Sequence, residues 1–368
     1  MSKPPAVVGG ILSPRRIMEN FPTNASQTIV APQARLKESN SSVSASVFRT
    51  RAWVQAWIDQ WGKHPAIQLI DVGGRNDPLE QIYLTRMHIK KVLSANSVCL
   101  AGVGSGPVST PRAEYNHCTE LLLQVGGSAE LAKLLKPLGW QQLLLSDLCL
   151  DAEADARALA QAAGCYVAVQ KREPAYSVQS ASLDAWLGSL GANTRLAYYN
   201  RRSRLGEYGK ISFYDYPLAE CETFFAQLNA FHMKRWGPPC YSADSRRFMA
   251  NFGERLVSDG GRLVMQSMKV DDEIVSVLFD VIWQGRRYNF QSGFAENRFP
   301  KIALGALHMG YGIEAAITAG QVYDFMAGQG KHANYKEKIA DTCINISSLV
   351  LARGLLKPLY MIRDRLKD

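Results

Sequence analysis

The chain has 368 residues, 47% of them hydrophobic and 20% charged, an ordinary globular balance that excludes a wholly disordered, collagenous or coiled-coil protein. At roughly 100–200 residues per domain, this length calls for two domains or one large one. Lys and Arg number 42 against 33 Asp and Glu, a net charge of +9, which suits phosphate-bearing ligands, anionic lipid or nucleic acid without choosing among them.

Residues 1–46 are rich in Ser, Asn, Pro and Ala without sustained periodicity and are read as a disordered N-terminal tail. Order is expected to begin with a helix over 51–61, where Trp53, Trp57 and Trp61 recur on one face before Gly62, a stripe that forms core rather than a ligand box. Strands over 67–72, 81–87 and 97–103, with a Gly73-Gly74-Arg75-Asn76-Asp77-Pro78 turn after the first, predict an antiparallel meander. A helix over 129–135, a strand over 141–145, a helix over 152–163 capped by Gly164 and a strand over 166–171 complete a first α/β half.

The second half begins with a helix over 194–205 and a strand over 211–214. A helix over 218–236 follows, with Cys221, Phe224, Phe225, Leu228, Phe231 and His232 on its apolar face. Strands over 262–269, 274–283 and 287–294 form a second meander, then come a helix over 303–319 stopped by Gly320 and a strand over 322–326. The shared element order predicts a tandem duplication of one α/β unit, although no residue-level repeat supports it. The expected division is a tail over 1–46, an N-terminal half over 47–190 and a C-terminal half over 191–368.

Two segments bear on chemistry. Tyr288 to Phe294 leads through Pro300, Lys301, Ile302, Ala303, Leu304 and Gly305 into a helix, and a helix's first turn carries unpaired N–H groups that can cradle a pyrophosphate. An ordinary strand-to-helix connection is the alternative, since no GxGxxG or GxxxxGK[ST] occurs. Asp324 interrupts an apolar strand and therefore requires a partner, either structural or within a site. Beyond it the glycine-rich stretch 327–334 runs into Tyr335-Lys336, a phenol beside a cation, readable as an acid or phosphate ligand or as a solvated loop.

Other features are less selective. Arg195, Arg201, Arg202 and Arg204 with Tyr198 and Tyr199 can bind phosphate or form a solvated helix face. Residues 349–366 mix apolar positions with Arg353, Lys357, Arg363 and Arg365, Lys367 following, which reads as a membrane-resting amphipathic end or as a final strand and helix packed on the body. No apolar run reaches the length of a membrane span and no secretory leader is evident, so the expected location is the cytoplasm. Seven cysteines without a CxxC pair read as reduced thiols. The spacing of His88, His117 and Cys118 gives no metal site, and there is no GxSxG elbow.

Trp53 and Trp57, Leu228 to Trp236, Ala303-Leu304 with Ile313 to Ala316, and Tyr323-Asp324-Phe325 through Gly328 to Tyr335-Lys336 together resemble one family. It is the GNAT-type acyltransferases of bacterial cellulose and exopolysaccharide biosynthesis (CelD-like), distantly similar to the Fem aminoacyltransferases. The resemblance implies an α/β fold of tandem GNAT-like (Fem-like) halves, each a mixed, largely antiparallel central sheet flanked by helices. It further implies an acetyl-CoA or other acyl-CoA co-substrate without metal. The pantetheine arm would lie along Phe290, Gln291 and Ser292, and the pyrophosphate on Lys301, Ile302, Ala303, Leu304 and Gly305. The common pyrophosphate loop of that superfamily has two glycines, and here Gly305 stands alone. Asp324 and His232 are the implied general bases, with Tyr335 as acid for the leaving thiolate, and Trp236, Arg202 and Lys336 face the acceptor. A core role for His232 is the alternative.

The implied partners are a small-molecule or lipid-linked saccharide acceptor, a polysaccharide-synthase complex and a peripheral contact at the inner membrane. Two other functions stay open: aminoacyl transfer from charged tRNA, the one reading that involves nucleic acid, and a non-catalytic scaffold subunit of a synthase.

Overall fold

The computed structural model describes residues 37–38, 46–89, 93–328 and 335–366; the expected tail therefore lies outside the described residues except at 37–38 and Ser46. The first half runs β1 (Lys37–Glu38), α1 (Arg51–Trp61), β2 (Gln68–Asp71), β3 (Gln81–Ile89), β4 (Leu93–Leu100), α2 (Thr119–Val125), α3 (Ser128–Leu135), β5 (Gln142–Leu148), α4 (Leu150–Ala162), β6 (Tyr166–Val178) and α5 (Leu183–Ser189). The second runs α6 (Ala192–Arg195), a π turn (Leu196–Asn200), α7 (Arg201–Gly206), β7 (Ile211–Asp215), α8 (Cys221–Trp236), α9 (Ala243–Ser258), β8 (Arg262–Val270), β9 (Glu273–Trp283) and β10 (Arg286–Phe294). It ends with α10 (Leu304–Thr318), β11 (Val322–Ala327), α11 (Tyr335–Ile339), β12 (Thr342–Ala352) and α12 (Leu356–Arg365).

All these strands share one mixed sheet, ordered β2-β3-β4-β5-β12-β6-β11-β10-β9-β8-β7, with β1 beside β12. The fold is thus α/β, a large, mostly antiparallel sheet flanked by helices. Each half contains one parallel pair at the equivalent place, β4 with β5 and β10 with β11. The final strands of the halves are exchanged: β12 lies beside β5, and β6 beside β11. At the centre β6 and β12 run antiparallel from Thr342↔Ser177 to Ala352↔Tyr166.

The tryptophan stripe is core. Trp53 and Trp57 are fully buried and Trp61 nearly so. Thr50 caps α1 by accepting the Trp53 backbone N–H at 3.2 Å. The Trp53 ring meets Phe248 and Phe252 of α9 edge-on at 4.8 and 5.0 Å, and its indole N–H donates to the Gly102 carbonyl at 2.8 Å. The first half is thereby fastened to the second.

Several elements exceed or escape the sequence expectation. Strand β6 extends to Val178 because its partners β12 and β11 come from the other half. The helix expected over 194–205 is broken by the π turn, where Tyr198 presses its backbone on α10; a Cβ at Gly310 would stand 1.8 Å from the Tyr198 carbonyl oxygen. Helix α9 was not expected, although Ser242 caps it and Phe248, Met249, Phe252 and Leu256 are buried along one face. Among the described residues no helix is long and apolar enough to cross a membrane.

Candidate active site

Strands β10 and β11 pair only at Arg286↔Val322, Arg287↔Tyr323 and Tyr288↔Asp324. Beyond those pairs they part. β10 shifts register on β9 between Asn289 and Gln291, and β11 shifts on β6 between Asp324 and Ala327, where Met326 adopts φ 59°. The result is a notch between Asn289–Phe294 and Phe325–Ala327. Along it the Ser292 N–H donates to the side-chain oxygen of Gln291 at 3.0 Å.

The notch leads toward a groove of about 400 Å³ lined by Arg201, Phe294, Asn297, Lys301, Ile302 and Leu304. Ala303 precedes α10 and supplies no side-chain cap, so the first-turn N–H groups at this positive helix end face the groove region without one. Lys301 holds a left-handed backbone, φ 63°, and is exposed, as is Ala303, whereas Ile302 and Leu304 are buried. Gly305 has a packing reason: a Cβ there would lie 2.4 Å from the Phe294 ring. Arg235 covers that ring at 5.0 Å and also faces Trp236 at 5.2 Å. The Phe290 ring is committed to the core against Phe48 and Phe279, so only its backbone borders the notch.

At the notch's inner end is a buried charged cluster. Successive strand residues face opposite sides, so Tyr323 packs toward α10 while Asp324 meets the first half. One Asp324 oxygen accepts from the Tyr115 hydroxyl at 2.8 Å and the Met326 N–H at 2.7 Å; the other accepts from Arg286 at 2.8 Å. The expected need for a partner is therefore met by three donors, two of them side chains. Glu114 is also buried, taking the Ala327 N–H at 2.6 Å and an ion pair from Arg112 at 3.1 Å. Burial pushes its carboxyl up to about 7 against the opposing pull of Arg112. Arg112 further pairs with Asp147 and Glu173, each at 2.7 Å.

Lys336 reaches the same place, its ammonium donating to the Met326 and Ala327 carbonyls at 2.9 and 3.2 Å. Burial lowers its pKa, while Glu114 and Asp324 act to raise it. Tyr115, Asp147 and Met326 all have positive φ, conformations that L residues hold only where surrounding contacts impose them. A gap of about 10 Å³, room for about one water, borders the cluster, lined by Tyr115, Tyr176, Ser177, Gln179, Arg286 and Asp324.

The remaining expected residues are dispersed. The Tyr335 phenol is raised by burial and pulled down by Arg235. On α8, the His232 Nδ1–H donates to the Pro238 carbonyl at 2.8 Å, since a carbonyl only accepts. Its ring stacks on Trp236. Arg202 is clamped between the Tyr199 and Tyr311 rings at 4.1 and 3.8 Å and paired with Glu314, which ties α7 to α10. The glycine-rich residues 329–334 lie outside the described residues.

Arg112, Glu114, Tyr115 and Arg286 were not singled out from the sequence. The signal available was Arg112-Ala113-Glu114-Tyr115, paired charges in a connection that otherwise has no regular pattern.

Comparison agrees with this geometry. Residues 192–337 match the family model of an acetyltransferase (GNAT) domain. Among solved structures, FemX superposes with a TM-score of 0.50 at 12% identity over 86% of this chain and 98% of its own. The C-terminal domain (DUF2156) of a putative lysylphosphatidylglycerol synthetase from Agrobacterium fabrum gives 0.50 at 9% identity over 85% and 96%. A tandem GNAT protein from the clavulanic acid biosynthesis pathway gives 0.39 at 10% identity over 82% and 95%. At these identities the likeness is one of fold. No curated protein matches the chain in sequence. Residues 192–337 thus carry a GNAT acetyltransferase domain, and the protein is an acyltransferase.

Proposed function

We propose that this acyltransferase moves an acyl group, acetyl in the first instance, from coenzyme A to an amine or hydroxyl of a saccharide, lipid-linked saccharide or amino acceptor in cell-envelope or exopolysaccharide biosynthesis. One observation carries the donor half of this reading: the notch where β10 and β11 part runs to an uncapped α10 start flanked by Lys301 and Arg201. A diphosphate suits unpaired N–H groups at a positive helix end, with two cations adding charge-assisted contacts. An acyl-CoA supplies a carbonyl already activated as a thioester.

The chain's own residues then have distinct tasks. Backbone groups of Gln291 and Ser292 line the arm, with the Ser292 N–H given up by the Gln291 side chain when the arm arrives. Glu114, like Asp324 engaged on both oxygens, is in this reading the group that takes the acceptor's proton, since a carboxyl raised to about 7 combines an available base form with useful basicity. Asp324, occupied on both oxygens, holds the Met326 turn and Tyr115 in place. Two N–H groups of Lys336 hold the strand-end carbonyls, leaving the third uncommitted among the described residues for a developing negative charge. His232 and Trp236 offer an aromatic platform of the kind that sugar rings pack on.

The test is thermal unfolding of the purified chain titrated with acetyl-CoA, longer acyl-CoAs and free CoA, in the wild type and in Lys301→Ala and Arg201→Ala. A bound ligand raises stability by RT ln(1 + [L]/Kd). The expected result is a saturable shift whose dissociation constant rises about five- to thirty-fold in either variant. No shift at millimolar ligand with folded protein overturns the acyl-CoA reading. In that case charged tRNA, the donor class implied by the Fem-like resemblance, becomes the reading to test.

A further inference from the structure

Helix α10 is apolar where it is buried, with Leu304, Leu307, Met309 and Ile313 all inside, yet His308 lies among them only 1% exposed. A polar ring in such a place costs free energy unless its nitrogens are bonded. Both are bonded. Nδ1 stands 3.0 Å from the Ser276 hydroxyl of β9, and Nε2 stands 3.2 Å from the Gln266 side-chain oxygen of β8. Among the described residues these are the only side-chain hydrogen bonds that the first two turns of α10 make to the sheet.

The proton positions follow from the far end of this chain of bonds. The Asp215 carboxylate, exposed on β7, only accepts, so the Gln266 amide nitrogen faces it and donates at 2.7 Å. The amide oxygen is left for His308, and Nε2 therefore carries the ring proton while Nδ1 is bare. Burial, with the Arg287 cation acting the same way, pushes the imidazole pKa down to about 3, so the ring is neutral at working pH. The Phe213 ring of β7 covers it at 5.8 Å. Ser276 then has one proton and two acceptors in reach, Nδ1 and the Gly293 carbonyl at 3.2 Å.

Ser276 stands directly opposite Phe294, the ring that lines the groove and meets Gly305. His308 lies one turn beyond Leu304, on the helix side shared with Gly305. One hydroxyl thus joins β9, the last residues of β10 and the start of α10, and the latter two flank the donor groove. A leucine at 308 would fill the space without stranding a partner, since Ser276 can give its proton to Gly293 and Gln266 is partly exposed to water.

We infer that His308 is a positioning residue of the donor site: through Ser276 it fixes the start of α10 against the end of β10, and so sets where the first-turn N–H groups meet a bound diphosphate. This inference rests on the acyl-CoA reading of the groove.

The experiment uses the full chain. Nitrogen NMR of the wild-type imidazole should show a neutral ring with Nε2 protonated and Nδ1 bare between about pH 5 and pH 8. Gln266→Leu should move that proton to Nδ1, because Ser276 can then accept it and pass its own to Gly293. In calorimetric titration with acetyl-CoA, His308→Leu should raise the dissociation constant about ten-fold while its urea midpoint is kept. The KM for acetyl-CoA should rise with it and kcat at saturating donor should hold. Ser276→Ala, the smaller change, should weaken binding in the same direction, and joining it to His308→Leu should add little, as for two members of one linkage. Unchanged donor affinity in both single variants overturns the inference, as does a lowered midpoint with affinity unchanged, which would mark plain packing. A wild-type ring protonated on Nδ1 also overturns it. Failure of the acyl-CoA reading looks different: the wild type then binds no coenzyme A while its imidazole still shows the Nε2–H form, and the role of His308 at the donor falls with that reading.

Discussion

Gly305→Ala separates two physical effects of opposite sign. In a helix alanine is preferred to glycine by about 0.5–1 kcal/mol, mainly because glycine loses more backbone freedom on folding. On an open helix face the substitution would stabilise. Here the new Cβ would stand 2.4 Å from two atoms of the Phe294 ring, Cδ1 and Cε1, against the ~3.5–4 Å of a favourable carbon contact. Overpacking of that kind costs about 1–3 kcal/mol. Phe294 cannot yield freely, because Arg235 lies over it and its other side lines the groove at the α10 start. The clash wins, and the ring is driven toward the groove.

The expected outcome is a loss of about 1 kcal/mol in urea unfolding together with weaker acetyl-CoA binding by calorimetry. Phe294→Leu in the Gly305→Ala background opens the space and should restore the unfolding midpoint. A Gly305→Ala protein with a higher midpoint and unaltered donor affinity would refute both the packing argument and the location of the groove.

Glu114→Gln should lower turnover by about 10²–10⁴-fold, measured as thiol release, and should remove the limb on which wild-type activity rises with pH through about 7. Stability supplies an independent check. A carboxyl raised in the folded state contributes stability that is complete below its unfolded range and lost as pH climbs through the folded value, so urea midpoints of the wild type should fall between about pH 5 and pH 8, and Glu114→Gln should flatten that fall. An unchanged pH profile in the variant removes Glu114 as the base. Trp53→Phe keeps the aromatic contacts but strands the buried Gly102 carbonyl, for an expected loss of about 1–3 kcal/mol in chemical unfolding; a loss near zero would mean that water replaces the indole.

Local pattern made most elements legible. The tryptophan stripe, both meanders and the glycine stops after α4 and α10 are features of short-range periodicity, and Gly164 and Gly320 do adopt positive φ. The strand exchange was not legible, because pairing of β12 with β5 and β6 joins residues about two hundred positions apart through side chains of no distinctive pattern. The same limit governs the site. Asp324 announced itself as an acid in an apolar strand, but Tyr115 and Arg286 reach it only through the sheet order. Lys301 to Leu304 were picked out from their place before a helix, and they line the groove, while the use of Gly305 depends on where the Phe294 ring lies. Arg202, read as an acceptor or phosphate contact or as part of a solvated face, is instead held between Tyr199 of the π turn and Tyr311 and Glu314 of α10, partners that only the fold brings together.

The two halves differ in what surrounds their parallel strand pairs. Where β4 and β5 run parallel, the space alongside is filled by Leu100, Leu143 and Leu145 with Cys99, Leu121 and Leu159, leaving an apolar pocket with no polar lining. Where β10 and β11 run parallel, the strands part beside polar residues and an uncapped helix start. In one half that space is core, and in the other it is open. Yet the open half is incomplete alone: Glu114 on the Ala327 N–H, Tyr115 on Asp324 and Arg112 across to Glu173 are all supplied by the first half. The first half thus walls the inner end of the notch. The exchanged strands β6 and β12 hold that wall in register, so cutting the chain between the halves would remove the charged cluster along with the central strand pair.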